Sequence, residues 1–237
     1  MSSEHIIVLG GTSGIGLATA RTLLERGKKV TVAGRDRERL EAARRALGGR
    51  AEAAAVDATD AAAVQAFFAG VGKFDHLVLA FGSRRGIGPL ASIDPSEVRL
   101  GFEEKVFPQV SCAQAALPYL TSGSLTFVSA ISGQSAAPGT VGIGSANAAV
   151  AALVPILAME LKPLRVNGVS PGVVDTPWWD FLNAEQKKAA FAGFAARTPV
   201  GRIGRAEDVA DAIAFLIGNT FMSGHLLICD GGARLGG

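Results

Sequence analysis

The amino-acid sequence predicts an α/β fold: one doubly wound parallel sheet of about seven strands, with helices on both faces. Three observations carry that prediction. Short apolar segments alternate with longer helical runs along the whole chain. The short segments are β-branched or leucine-rich and apolar on both faces, as strands covered from both sides must be. The first of them runs straight into a glycine-rich turn and then a helix, IIVLGGTSGIG over Ile6 to Gly16.

In chain order the strands fall at His5–Leu9, Lys29–Gly34, Ala51–Val56, His76–Ala80, Ser124–Ser129, Arg165–Ser170 and Leu226–Cys229. Helices lie between them near 15–26, 36–48, 60–71, 95–120, 142–162 and 206–217, with a shorter one near 184–196. Right-handed crossovers then place any ligand at the carboxyl ends of the strands. Pro108 and Pro155 fall inside long helices, where a missing donor predicts a bend.

The 237 residues show no linker, repeat or low-complexity run, so residues 1–237 read as one domain. An apolar share of 49% against 19% charged residues supports a large core. A net charge of +2 with mixed signs argues against a nucleic-acid partner. The Arg-rich stretch from Arg35 to Arg50 reads mostly as a solvated helix face. Cys112 and Cys229 stand alone, which excludes a disulfide framework and gives no metal-site spacing. The chain enters a strand at once after MSSEH, and no apolar run approaches the ~20 residues of a membrane span. The expectation is a cytoplasmic protein that meets a small molecule, without membrane contact.

Strand, glycine turn and helix together suit a nucleotide diphosphate. Gly10 permits the sharp turn, and Gly14 and Gly16 clear space for phosphate oxygens against backbone N–H groups. Around these residues the chain resembles the short-chain dehydrogenase/reductase family, whose fold is of Rossmann type. The family's TGxxxGxG reads here Leu9-Gly10-Gly11-Thr12-Ser13-Gly14-Ile15-Gly16, with leucine for threonine. The second strand ends in Gly34-Arg35-Asp36, and an arginine at that tip matches a ribose 2′-phosphate, hence NADP(H). Asp36 competes as a cap of the next helix. Val56-Asp57-Ala58-Thr59-Asp60 is similar to the family's D-[VA]-[ST]-D, which implies Asp57 at the adenine, with Ala58 beside it and Asp60 as a helix cap. The fourth strand's usual NNAG appears as Leu79-Ala80-Phe81-Gly82, with Ala80 and Gly82 along the cofactor. RVNGVSPGVVDTP resembles the segment behind the nicotinamide, implying Pro171 and Gly172 as its turn and Val174 and Thr176 as carboxamide contacts.

The chemical half departs from the resemblance. The family uses a Tyr, a Lys, a Ser and an Asn as a proton relay. Aligned through PGTVGIGSANAAVAAL, the tyrosine position is Ile143 and the lysine position Asn147. The serine position is Ala130, and the helical asparagine position is Lys105. The chain's one tyrosine, Tyr119, lies on another helix and reads as packing or an interface. Lys and Asn are thus exchanged between two helices that face each other. Lys105 is a candidate proton donor or oxyanion clamp, or else a solvated lysine beside Glu103 and Glu104. Ser132 and Asn147 are its candidate helpers, and Ser129 and Ser145 are further hydroxyl candidates. Trp178, Trp179 and Phe181 begin an apolar lid near 175–200, or seal a subunit contact.

The expected function is an NADP(H)-dependent oxidoreductase with altered proton delivery, acting on an apolar or aromatic carbonyl, imine or enone. Two alternatives stand beside it: a silent NADP(H)-binding regulatory or partner protein, and a non-redox cyclase or isomerase. The resemblance implies a homodimer or homotetramer formed through the helices near 95–120 and 142–162. No metal is expected.

Overall fold

The computed structural model describes residues 3–120 and 122–235. Seven parallel strands form the main sheet: β1 (His5–Leu9), β2 (Lys29–Gly34), β3 (Glu52–Ala55), β4 (His76–Leu79), β5 (Ser124–Val128), β6 (Arg165–Pro171) and β9 (Leu226–Cys229). Their spatial order is β3-β2-β1-β4-β5-β6-β9. The chain moves outward from β1 to β3, then returns to start β4 on the other side of β1. That reversal opens a crevice at the carboxyl ends of β1 and β4, where open α/β sheets bind ligands.

Strand side chains alternate between two cores. Ile7 and Leu9, with Leu77, Leu79, Leu125 and Phe127, face α3 (Ala61–Val71), α4 (Pro95–Ala116) and α5 (Val141–Glu160). Ile6 and Val8, with Val32, Val78, Val128 and Val169, face α1 (Gly14–Glu25), α2 (Arg37–Ala46) and α7 (Ala206–Gly218). Each such side chain, fully removed from water, contributes about 1.5–3 kcal/mol. The sheet is therefore apolar on both faces, as its sequence requires.

The predicted strands and helices are all present. The third strand is shorter than anticipated at both ends. Helix α4 stops at Ala116 instead of 120, because Pro118 lies just beyond and Leu117 closes the last turn on the Gln114 carbonyl. Both long helices continue through their prolines. Beside Pro108 the buried Gln109 amide donates to the Lys105 carbonyl at 3.0 Å, a side-chain bond where the backbone ladder is weakened.

Two features escaped the sequence. A second, two-stranded parallel sheet pairs β7 (Val174–Asp175) with β8 (Gly204–Arg205), bracketing α6 (Ala184–Arg197). And α5, against the expectation about apolar runs, is 20 residues long with an 18-residue window of mean hydropathy 1.8, long and apolar enough to cross a membrane by length and composition alone. Ala146, Val150 and Val154 on this helix pack into the core over the sheet.

Candidate active site and cofactor cleft

The cleft begins where β1 ends. Gly10 turns the chain with φ at +79°, and its N–H donates to the Ala33 carbonyl at 2.9 Å. A Cβ at Gly10 would lie 2.5 Å from the Ala80 carbonyl, and one at Gly16 would collide with the Gly10 carbonyl. No larger residue fits either place. Leu9 sits in the core, and the turn is tied down by Ala33 instead of by a side-chain hydroxyl at position 9. Ser13 caps α1 without a side-chain bond, so the first N–H groups of Gly14, Ile15 and Gly16 lead the positive end of the helix dipole. That is an anion cradle. Thr176 approaches it closely, its Cγ2 lying 3.2 Å from where a Gly14 Cβ would be.

The cleft holds about 380 Å³ and runs past Thr12, Ser13, Gly34 and Arg35 to Asp57, Ala58, Ala80, Phe81 and Gly82. Asp36 turns away to cap α2, accepting from the Glu38 and Arg39 N–H groups at 2.9 and 3.1 Å. This leaves Arg35 as the charge at the strand tip. A second arginine that sequence reading missed, Arg39, also lines the cleft. It lies in the first turn of α2, within an arginine-rich run that gives no separate signal for it. Asp57 accepts from the Thr59 N–H and hydroxyl at 3.0 and 2.7 Å through one oxygen, and the backbone bond leads in holding its carboxyl below the usual range. Asp60 caps α3, as expected.

The residues present fit a phosphorylated dinucleotide: a cradle that a Cβ would fill, two arginines beside it, and an acidic side chain with one oxygen uncommitted among the described residues. The Val174 carbonyl accepts the Trp179 indole N–H at 3.0 Å, so that oxygen is engaged within the protein. The cause is the aromatic segment itself, which folds back over β7.

On the chemical side the structure joins the exchanged Lys and Asn through Ser129. The Lys105 ammonium donates to the Phe81 carbonyl at 2.9 Å and to the Ser129 carbonyl at 3.4 Å. The Ser129 hydroxyl donates to the Asn147 carbonyl at 2.8 Å. The Asn147 amide donates to the Ser132 hydroxyl at 3.1 Å and to the Ile143 carbonyl at 2.9 Å, while its own Oδ1 is buried without a partner. Lys105 is not a solvated lysine: it is 6% exposed, and burial pushes its pKa down to about 7. It also does not line the cleft. Its bonds go to backbone carbonyls at the ends of β4 and β5.

Two other candidates are also consumed. Ser145 donates to the Val141 and Gly142 carbonyls of its own helix turn, a common fate for a helical serine. Ser129 is spent on Asn147. Ser132 alone among these hydroxyls has a proton not committed to a described residue. Ala130 opens the short turn that carries Ser132, and Gly133 lets this turn press onto α5, where a Cβ would lie 2.6 Å from the Ala148 nitrogen. At the tyrosine position, the Ile143 N–H is capped by the Gly86 carbonyl at 3.1 Å, which fixes the loop after β4 against α5. Tyr119 is remote. Its carbonyl accepts from Phe74, just ahead of β4, at the amino ends of the strands and opposite the cleft at their carboxyl ends.

The expected lid is an aromatic cluster. Trp178 and Trp179 meet edge-on at 4.7 Å, and Trp179 continues to Phe191 and Phe194 on α6. The Trp178 indole donates to the Ser83 carbonyl at 3.0 Å, which ties the lid to the loop after β4. Glu104, another residue that sequence reading missed, lines the cleft and accepts from the Ser83 hydroxyl at 2.8 Å and from Arg85 at 3.2 Å. Among the described residues no group of His, Cys, Asp and Glu has metal-site geometry.

A glycine cradle at the switch point of a doubly wound sheet defines the Rossmann class of dinucleotide-binding folds. The family profile described as enoyl-(acyl carrier protein) reductase matches residues 10–234. The chain belongs to the short-chain dehydrogenase/reductase family. It is 36% identical over 240 residues to the cis-4-hydroxycyclohexanecarboxylate dehydrogenase of Sinomonas cyclohexanicum, covering 95% of this chain and 94% of that one. A small-chain dehydrogenase solved in complex with NADPH superposes with a TM-score of 0.87 at 33% identity, covering 99% of this chain and 100% of that one. An NADPH-bound short-chain oxidoreductase from Pseudomonas aeruginosa PAO1, described as containing an atypical catalytic center, gives 0.86 at 30% identity, covering 97% and 96%.

Proposed function

We propose that this protein is an NADP(H)-dependent oxidoreductase in which a water, not a phenol, exchanges the substrate proton. The observation that carries the reading is the pairing of an intact cradle, flanked by Arg35 and Arg39, with Ile143 at the phenol's position. Similarity to proteins solved with NADPH supports the cofactor. When bound, that cofactor supplies or takes a hydride at its nicotinamide. The N–H groups of Gly14, Ile15 and Gly16 hold the diphosphate. Arg35 and Arg39 pair with the 2′-phosphate, Asp57 meets the adenine, and Thr176 orients the carboxamide.

Ser132 donates a hydrogen bond to the substrate oxygen or nitrogen, positioned by Asn147. Lys105 is a positioning residue that fixes the ends of β4 and β5 around the site. Trp178 and Phe181 exclude bulk water and present an apolar surface to substrate. Loss of a positioned acid costs roughly 10²–10⁴ in rate, so activated substrates such as iminium ions and conjugated enones are favoured over simple ketones. Outer faces of α4 and α5 expose Phe107, Ile156 and Met159 at 57%, 57% and 68%, which supports self-association through these helices in the cytoplasm.

The test is single-turnover mixing of NADPH-loaded protein with ketones, imines and enones, followed at the reduced-nicotinamide absorbance. Oxidation by an activated substrate is expected. Tight NADPH binding with no oxidation by any of them would establish the second reading, a silent NADP(H)-binding protein, which the missing relay favours.

A further inference from the structure

Adjacent arginines on the loop after β4 have opposite environments. Arg85 is fully engaged, pairing with Glu97 at 3.1 Å and Glu104 at 3.2 Å. Arg84 turns toward the lid. Its guanidinium carbon sits 5.5 Å from the centroid of the Phe181 ring, and among the described residues no carboxylate lies within ion-pairing distance of it. Of the lid's two lysines, Lys187 pairs with Asp175 at 2.9 Å and Asp180 at 3.6 Å, and Lys188 is exposed on α6. Arg197 lies over Phe194 on the last turn of α6, where the helix dipole accommodates a cation. Arg84 does not line the dinucleotide cleft, whose arginines are Arg35 and Arg39.

The loop around Arg84 is held on both sides. Ser83 accepts the Trp178 indole through its carbonyl and bonds Glu104 through its hydroxyl. Two residues after Arg84, the Gly86 carbonyl caps the first N–H groups of α5, at Gly142 and Ile143. The loop that carries Arg84 is therefore fixed between the start of α5, which holds Ile143, and the aromatic lid, where its guanidinium meets Phe181. A guanidinium with one face on an aromatic ring keeps its N–H edge free, and that fork matches a carboxylate in two bonds.

We propose that Arg84 is a substrate-binding residue that selects ring carboxylates, with the carboxylate on its guanidinium edge and the apolar ring between Ile143, Trp178 and Phe181. The inference rests on the proposed oxidoreductase reading for the substrate's place, and deepens it by assigning the substrate an anionic end.

Equilibrium binding separates the two ideas. Cyclohexanecarboxylate and its amide, cyclohexanecarboxamide, are titrated into NADP⁺-loaded protein and followed by the fluorescence of Trp178 and Trp179, the chain's two tryptophans. The carboxylate is expected to bind roughly 10- to 100-fold tighter than the amide. Arg84→Gln is expected to erase that preference, and Arg84→Lys to keep part of it. Equal affinities in the unmodified protein, binding of neither ring, or a preference that survives in Arg84→Gln while NADPH binding weakens would overturn the assignment. The last outcome would give Arg84 to the cofactor phosphates. Should Arg84→Gln fail to fold, Arg84→Lys and the preference of the unmodified protein still decide. A carboxylate preference here, together with no oxidation of NADPH by any ketone, imine or enone of the single-turnover panel, would sink the oxidoreductase reading and leave this one standing.

Discussion

At Gly10, Gly14 and Gly16 the cleft is built from backbone, whereas at Ser132, Ile143, Asn147 and Lys105 it is built from side chains. The first region tolerates no added atom. A Cβ at Gly10 would sit 2.5 Å from the Ala80 carbonyl. The second holds Ile143, Asn147 and Lys105 at the positions to which the resemblance assigns a phenol, an ammonium and an amide, and the fold is intact around them. The difference follows from what each region does. A diphosphate is held by N–H groups whose positions are fixed by φ and ψ, so only small residues satisfy them. Proton transfer needs a group of suitable acidity at one point, and a solvent molecule serves when the substrate is already activated.

Four changes would break or sharpen this contrast. The largest effect is expected from Gly10→Ala, which combines a φ of +79° with that close contact. It should weaken NADPH binding by on the order of 100-fold and cost about 1–3 kcal/mol of stability, read by fluorescence titration and thermal melting. Unchanged affinity would mean that the turn does not carry the phosphates.

Next comes Lys105. Its amine is pushed from 10.5 to about 7 by burial. Between those values the unfolded chain binds a proton at Lys105 that the folded chain does not, so this group's effect on stability is least unfavourable above pH 10 and grows more unfavourable as pH falls toward 7. A shift of that size amounts to several kcal/mol. Lys105→Met should flatten the decline between pH 10 and pH 7 in denaturant titrations. A slope identical to that of the parent would show the amine to be hydrated.

Arg35→Ala should then weaken NADPH by roughly 10- to 100-fold, with little effect on NADH, from the loss of charge-assisted bonds. Equal losses for both cofactors would refute the 2′-phosphate role. The smallest effect is expected at His76, at the amino ends of the strands. It is buried, bonded to Ser124 at 2.8 Å, and its pKa is lowered mainly by burial, against the opposing charge of Glu4. Below pH 6.5 the unfolded chain takes up a proton that the folded imidazole resists, so acidification destabilises. His76→Gln should soften that acid limb in melts from pH 7 to pH 5.

The cradle was legible because its constraints are local: Gly10 must turn, Gly16 must lack a Cβ, and Arg35 stands directly at a strand end. The helix caps Asp36 and Asp60 were legible for the same reason. The state of Lys105 was not, since neighbours Glu103 and Glu104 suggest a solvated face, while its burial arises from β4 and β5, distant in sequence. The engagement of Val174 by Trp179 and the tie from Trp178 to Ser83 also join remote segments. Arg39 was hidden in a run of arginines, where only the cleft separates it from its solvated neighbours.

The most direct test compares hydride transfer in single turnovers to a cyclic iminium ion and to the matching ketone, with NADPH-loaded protein. An iminium carbon needs no proton when it accepts hydride, whereas a ketone oxygen does. With no phenol at position 143, the iminium should react faster by on the order of 10²–10⁴. Equal rates for the two would contradict the account, because they would require an acid positioned at the ketone oxygen.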